Sequence, residues 1–176
     1  MKLVVFSDNH RNKAVVEWIV QQNPDADRVI SLGDSEMKEH ELSSLGVFGV
    51  KGNYPFEPDF PFDLIMTFED LRFLITHGHK YFVKTGLSNL KTALITNKCD
   101  VALFGHTHQA TIHKEDDLLF LNPGSTTSPK YLFNKTYFVI EVVERKITIE
   151  LREVYTNQLM KSHLETIKPR RREYGF

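Results

Sequence analysis

The feature that most constrains the fold of this chain is a set of short, continuously apolar runs, each cut off by a polar or glycine-containing turn. "KLVVF" ends at "SDNHRN", "RVISL" at Gly33-Asp34, "VFGV" at Lys51-Gly52-Asn53, "FLIT" at His77-Gly78, and "VALF" at Gly105. Runs of this length, apolar without alternation, suit strands covered on both faces, which is the situation of a parallel sheet. Between the first two lies "KAVVEWIVQQN", with Ala14, Val15, Trp18 and Ile19 at roughly helical spacing and a stop before Pro24. Between the second and third lies "EMKEHELSSLG", a short polar helix with Gly46 just past its end. Strand, helix, strand, helix, strand implies parallel pairing with right-handed crossovers.

After the proline-rich loop "YPFEPDFPF" the texture changes. "DLIMTFEDLRFLITHG" reads as a hairpin turning at Glu69-Asp70, "ATIHKEDDLLFLNPGS" as a second turning at Glu115–Asp117, and "TYFVIEVVERKITIELREV" as a third turning near Glu144–Lys146. "GLSNLKTALITNK" is an amphipathic helix with Leu87, Leu90, Leu94 and Ile95 on one side. The expectation is one α/β domain over residues 1–176: two mixed β-sheets packed face to face with helices outside, and a basic tail or helix over 158–176. Phe56, Phe60 and Phe62 in the loop would wall a pocket, pack the loop on the core or, exposed together, form a homo-oligomer face.

Charge excludes some function classes. The 22 Lys and Arg nearly balance the 23 Asp and Glu, leaving a net charge of -1, so no global field recruits nucleic acid or an anionic membrane. The local exception is Lys168 with Arg170, Arg171 and Arg172, a solvated tail or a set of phosphate contacts. Cys99 is the only cysteine, which forbids an intrachain disulfide and fits a reducing compartment; its place at the start of a strand makes it core filler rather than nucleophile. The first apolar run is broken at Asp8 and no run approaches membrane-spanning length, so a cytoplasmic protein with no membrane partner is expected.

The chemistry-bearing residues gather where the apolar runs end. Asp8 and His10 follow the first, Asp34 the second, Asn53 the third, His77 and His79 the fourth, and His106 and His108 the fifth. Carboxyl ends of strands are where sites assemble in α/β sheets. Each piece alone has a plainer reading; Asp8, for instance, suits a cap for the following helix. Together they form a ligand set of imidazole and carboxylate without thiolate, which suits Mn²⁺, Fe or Zn²⁺. Asp8, His10, Asp34, Asn53, His77, His106 and His108 are more than one ion can use while leaving room for substrate. Two ions sharing one carboxylate, roughly 4 Å apart, use all of them and can clamp an in-line phosphoryl displacement.

In this order the blocks Asp8-Asn9-His10, Gly33-Asp34, Gly52-Asn53, His77-Gly78-His79 and Gly105-His106-Thr107-His108 resemble the calcineurin-like metallophosphoesterase superfamily, over roughly residues 3–143. "NPGS" at 122–125 is similar to its small bacterial and archaeal phosphodiesterase branch, related to the retromer subunit of the same fold. The resemblance implies an α/β/β/α sandwich. It implies a first metal on Asp8, His10 and His108, a second on Asn53, His77 and His106, and Asp34 between them. It also implies divalent ions, manganese foremost with Fe, Zn, Ni or Mg²⁺ as alternatives, and a hydroxide held between them that hydrolyses a small phosphodiester substrate.

Two departures bear on function. The family's third block continues with a histidine thought to protonate the leaving group; here Tyr54 and Pro55 follow Asn53. Losing a general acid costs about 10²–10⁴ in rate, less for a good leaving group, so diesters and activated esters are favoured over alkyl monoesters. His79 is the candidate replacement, in a catalytic or substrate-contact role. Met37 stands where the second block has its second aspartate, with Glu36 beside it. Arg11 and Lys130 lie near the blocks as phosphate contacts or plain surface, and His40, His113 and His163 lie away from them. A non-catalytic scaffold of the same fold and a nuclease are the rival functions.

Overall fold

The computed structural model describes residues 1–56, 59–130 and 134–169. Its strands are β1 (Lys2–Phe6), β2 (Arg28–Ser31), β3 (Val47–Gly49), β4 (Asp63–Phe68), β5 (Leu71–Thr76), β6 (Val101–Leu103), β7 (Ala110–Glu115), β8 (Leu118–Pro123), β9 (Thr136–Val143), β10 (Lys146–Glu153) and β11 (Leu159–Thr166). Its α-helices are α1 (Lys13–Gln22), α2 (Glu39–Ser43) and α3 (Ser88–Thr96).

The strands form a six-stranded sheet, β11-β10-β9-β1-β2-β3, and a five-stranded sheet, β4-β5-β6-β8-β7. β1, β2 and β3 run parallel, as do β5, β6 and β8; β9 and β4 pair antiparallel beside them. The unbroken apolar runs explain the layering, because each strand serves two cores. Leu3 and Val5 of β1 face the core between the sheets, while Val4 and Phe6 face α1. Phe73 and Ile75 of β5, Val101 and Leu103 of β6, and Leu119 and Leu121 of β8 join the central core. Leu74, Ala102 and Phe120, the alternate residues, pack with Leu90 and Leu94 of α3. The result is the expected α/β/β/α sandwich.

Three details differ from the sequence reading. In α1 the buried face is Val15, Val16 and Ile19, and Ala14 is exposed. In α3 Leu90, Ala93 and Leu94 are buried while Ile95 points out, because it lies one residue round the helix from Leu94. The segment read as a tail or helix from 158 begins as β11, an eight-residue edge strand paired antiparallel with β10. Its "LMKSHLET" carries little apolar alternation, and the side chains partly covered on its inner face are His163 and Glu165, which are polar. Arg170, Arg171 and Arg172 lie outside the described residues.

One cation ties the sheets at the end away from the strand carboxyl termini. The Arg145 guanidinium donates to the carbonyls of Asp70, Ile167 and Lys168 and to Asp100 Oδ1, joining the β9–β10 turn, the β4–β5 turn and the chain after β11. Arg145→Met is expected to cost about 2 kcal/mol, a buried pair discounted for partial exposure. Denaturant unfolding of the variant would check it; a loss under about 0.5 kcal/mol, the level of an ordinary surface change, would remove the clamp from the account.

Candidate metal centre

The carboxyl ends of β1, β2, β3, β5 and β6 converge on one edge of the sandwich. There the chain must turn sharply while keeping short polar side chains aimed inward. Asp8, His10, Asp34, His106 and His108 do so with left-handed backbones, at φ 56°, 41°, 48°, 67° and 57°. Such conformations cost of order 1–3 kcal/mol each and concentrate at functional sites. They are held by pairing of the first two turns: Asp8 N donates to Gly33 O at 3.1 Å, His10 N to Asp34 O at 3.1 Å and Arg11 N to Ser35 O at 2.7 Å. Asp8 is therefore not the cap of α1; Asn12 is, its Oδ1 accepting from Val15 N at 3.1 Å.

Two groups of ligand-type atoms result. Asp8, His10 and His108 form one, and Asp34, His77 and His106 the other, with the atoms of each within 4.8 Å of one another. Asn53 joins the second, its Oδ1 3.1 Å from His77 Nε2. Asp8 connects the groups: its buried Oδ1 lies 3.1 Å from His108 Nε2, 3.9 Å from His77 Nε2 and 4.0 Å from His10 Nε2. That oxygen has no aligned hydrogen bond, as suits an atom directed at a cation rather than a proton donor.

The far nitrogens of three imidazoles are already held, which turns each Nε2 toward the centre. His77 Nδ1 donates to Leu32 O at 2.7 Å and His108 Nδ1 to Ser128 O at 2.8 Å, while His10 Nδ1 lies 2.9 Å from Glu36 Oε1. Two of these partners are backbone carbonyls, which carry no signal in the sequence. Glu36 had a signal, an acid two residues past Asp34. Met37, beside it, is buried in the α1 core and takes a contact from Asn9 Nδ2. "NPGS" is a buttress: Asn122 Nδ2 donates to Gly105 O and Thr107 Oγ1, and Ser125 Oγ donates to Asp8 O.

The electrostatics favour a cation. Burial would raise the Asp34 carboxyl, but His77 and the amides of Tyr54 and Asn53 outweigh it and hold it at about 2. Burial would lower His77, but the hydrogen bond to Asp34 and the charges of Asp8 and Asp34 raise it. Burial, then the charges of His77 and Lys84, push His106 down to about 4, leaving a neutral ring with a free lone pair. Close approach also requires glycine at 52, where an added Cβ would sit 2.0 Å from Asp34 Oδ1.

His79 packs against Phe62, His77 and His106, its Nδ1 buried without a hydrogen-bond partner, and burial lowers its pKa. With Lys51, Gly52, Asn53, Tyr54, Pro55 and Phe62 it lines a cleft of about 360 Å³. On the other side Lys84, His106, Thr107, His108, Ser128, Pro129 and Lys130 line a second, of about 310 Å³. Tyr54 OH accepts from Arg11 Nη2 at 3.4 Å. The loop phenylalanines part company: Phe60 is buried, Phe62 walls the first cleft and Phe56 is exposed, so they do not make one apolar face. Exposed His40 lies on α2, His113 lies on β7, and His163 on β11 pairs with Glu165, all away from the centre. Cys99 is buried in the α3 core.

Removing the group that orients a ligand typically weakens metal binding by about 10–100-fold. Glu36→Ala is expected to do so for the site containing His10, read by metal titration calorimetry; unchanged affinity would make Glu36 mere surface.

The chain is similar to several known proteins. It is 28% identical over 160 residues to the probable metallophosphoesterase YsnB of Bacillus subtilis, covering 90% of this chain and 95% of that protein. It is 27% identical over 147 residues to the phosphodiesterase MJ0936 of Methanocaldococcus jannaschii, covering 70% and 83%. A predicted phosphoesterase of Streptococcus pneumoniae has the same fold, with TM-score 0.81 and 26% identity over 93% of this chain and 97% of that one. Vps29 of Entamoeba histolytica shares the fold at TM-score 0.77 and 18% identity, over 96% and 100% of the chains. No described helix is long and apolar enough to cross a membrane. Residues 1–145 match the calcineurin-like phosphoesterase superfamily domain, and the chain belongs to that superfamily.

Proposed function

We propose that this protein is a metal-dependent phosphodiesterase with neighbouring sites for two divalent ions. Asp8, His10 and His108 would hold one ion and Asn53, His77 and His106 the other, with Asp34, grouped with His77 and His106, as the proposed shared ligand. The observation that carries the reading is the shared approach of both histidine groups to Asp8 Oδ1. Two divalent ions bound there would supply Lewis acidity toward the phosphoryl oxygens and activate water at neutral pH. The set of imidazoles and carboxylates without thiolate suits Mn²⁺, Fe or Zn²⁺, and manganese is put first on the family resemblance.

The chain's own residues do the positioning. Asp34 stays ionised, and its Oδ1 accepts the amides of Asn53 and Tyr54 at 2.9 and 3.2 Å, which fixes the loop that carries Asn53. Clefts on both sides of the centre suit a phosphate with two ester arms. Tyr54, bonded to Arg11, offers no imidazole to the leaving group. The leaving oxygen departs with little protonation by the protein, so diesters with good leaving groups react best. His79 acts as a contact on the cleft wall. The filled ligand set favours catalysis over the scaffold role, and the net charge of -1 favours a small diester over nucleic acid. The compartment proposed is the cytoplasm, on the single buried thiol Cys99.

With Mn²⁺, hydrolysis of an aryl phosphodiester is expected to exceed that of the matching monoester, and Asp34→Asn to abolish both. Faster monoester turnover would reverse the inference from Tyr54, and no hydrolysis with any divalent metal would end the enzyme reading. Tyr54→His is expected to raise turnover of alkyl esters by up to about 10²-fold; no gain would mean that position 54 does not face the leaving group. Finally, His106→Ala and His108→Ala should each lose a different ion, read as metal content per chain by elemental analysis. Loss of both ions in both variants would point to one indivisible site.

A further inference from the structure

One wall of the larger cleft carries an unusual arrangement of charge. Lys80 Nζ lies over the Phe62 ring at 3.4 Å from its centroid, and Lys51 Nζ at 4.4 Å from the same centroid. Among the described residues neither ammonium has a carboxylate partner, whereas Lys91 pairs with Glu115 and Lys114 with Glu165. Gathering two like charges over one ring is costly. The ring returns only about 0.5–1 kcal/mol per cation at a part-exposed site.

The arrangement is nonetheless built. Lys51 N donates to Pro61 O at 3.0 Å, which closes the loop and sets Phe62 beside Lys51. Lys80 lies in the 3-10 turn His79–Tyr81, and Tyr81 OH donates to Asp63 Oδ2 at 2.7 Å, which fastens that turn to the residue after Phe62. Phe62 in turn touches His79, whose ring lies against His77 and His106. Three separate segments thus hold, at the edge of the metal centre, two cations that have no carboxylate partner among the described residues.

We infer that Lys51 and Lys80, gathered over Phe62, form an anion subsite that recognises a second phosphate on one ester arm of the substrate. The inference rests on the phosphodiesterase reading for the identity of the first phosphate. It names the substrate class as a phosphodiester with a phosphorylated arm. A dianionic phosphate between two ammonium groups replaces repulsion with charge-assisted hydrogen bonds. The cations then serve specificity and not the chemical step.

Non-hydrolysable ligands separate binding from catalysis. Calorimetric titration of the Mn²⁺-loaded protein, with excess Mn²⁺ matched in cell and syringe, would compare propylphosphonate with propane-1,3-bisphosphonate. The bisphosphonate is expected to bind about tenfold more tightly, and in Lys51→Gln/Lys80→Gln the ratio should fall to about the twofold that two equivalent ends supply. Phe62→Leu, which keeps both charges and removes the ring that gathers them, should fall between. Lys84→Gln/Lys130→Gln, on the opposite cleft, should keep the tenfold ratio. An unchanged ratio in the Lys51/Lys80 variant, or its loss in the Lys84/Lys130 variant, would overturn the subsite. The wild-type aryl diester assay decides the other question: a protein that hydrolyses no ester but keeps a Lys51- and Lys80-dependent ratio retains the subsite and loses the enzyme reading.

Discussion

The whole site depends on one buried carboxylate. Asp8 is fully buried, and putting such a charge out of water costs several kcal/mol unless it is compensated. Both sheets hold the residue in place, and the contacts to its carboxylate oxygens supply the compensation. Its backbone N–H bonds to Gly33 beside β2, and its carbonyl accepts from Ser125 and Thr127 beyond β8. Its Oδ2 accepts from Ser7 and from His106 N. That leaves Oδ1 facing imidazole nitrogens from both ligand groups. Asp8 is therefore a hub for the packing of the two sheets at this edge as well as a candidate ligand, and the two ligand groups meet at it.

Much of this was legible in the sequence for a specific reason. A strand buried on both faces has no place for polar side chains, so the first ones after each apolar run mark where the chain reaches the sheet edge. Asp8, Asp34, Asn53, His77, His106 and His108 all fell there, and the structure brings them to one place. What stayed hidden was of two kinds. The partners of the imidazoles are backbone carbonyls, as at Leu32 and Ser128, and a carbonyl has no letter of its own. Features of long range, such as Lys51 and Lys80 meeting over Phe62, depend on loop closure that no local pattern encodes. β11 was missed because, as an edge strand whose partly covered residues are the polar His163 and Glu165, it carries no apolar periodicity to read.

The departures at Tyr54 and Met37 gain a physical sense from their neighbours. Met37 is buried against the α1 core, so the position serves packing here, while Glu36 beside it holds His10. Tyr54 contributes its backbone N–H to Asp34, a service any residue could perform, and its phenol leans toward Arg11. Position 54 thus keeps its structural duty and gives up the imidazole.

Strain and stability are divided between the two ends of the sandwich. At the carboxyl edge five ligand residues hold left-handed backbones, and polar groups are brought close enough to repel. At the other edge Arg145 binds three chain segments, and the β9–β10–β11 meander extends the larger sheet beyond the site. Packed cores are stiff and transmit such restraint. A chain that must hold carboxylates and imidazoles in costly positions does so by making everything behind them hard to move. In this fold the central core, apolar on both of its walls, separates the two requirements, so that the site can be shaped by its turns without loosening the sheets that carry them.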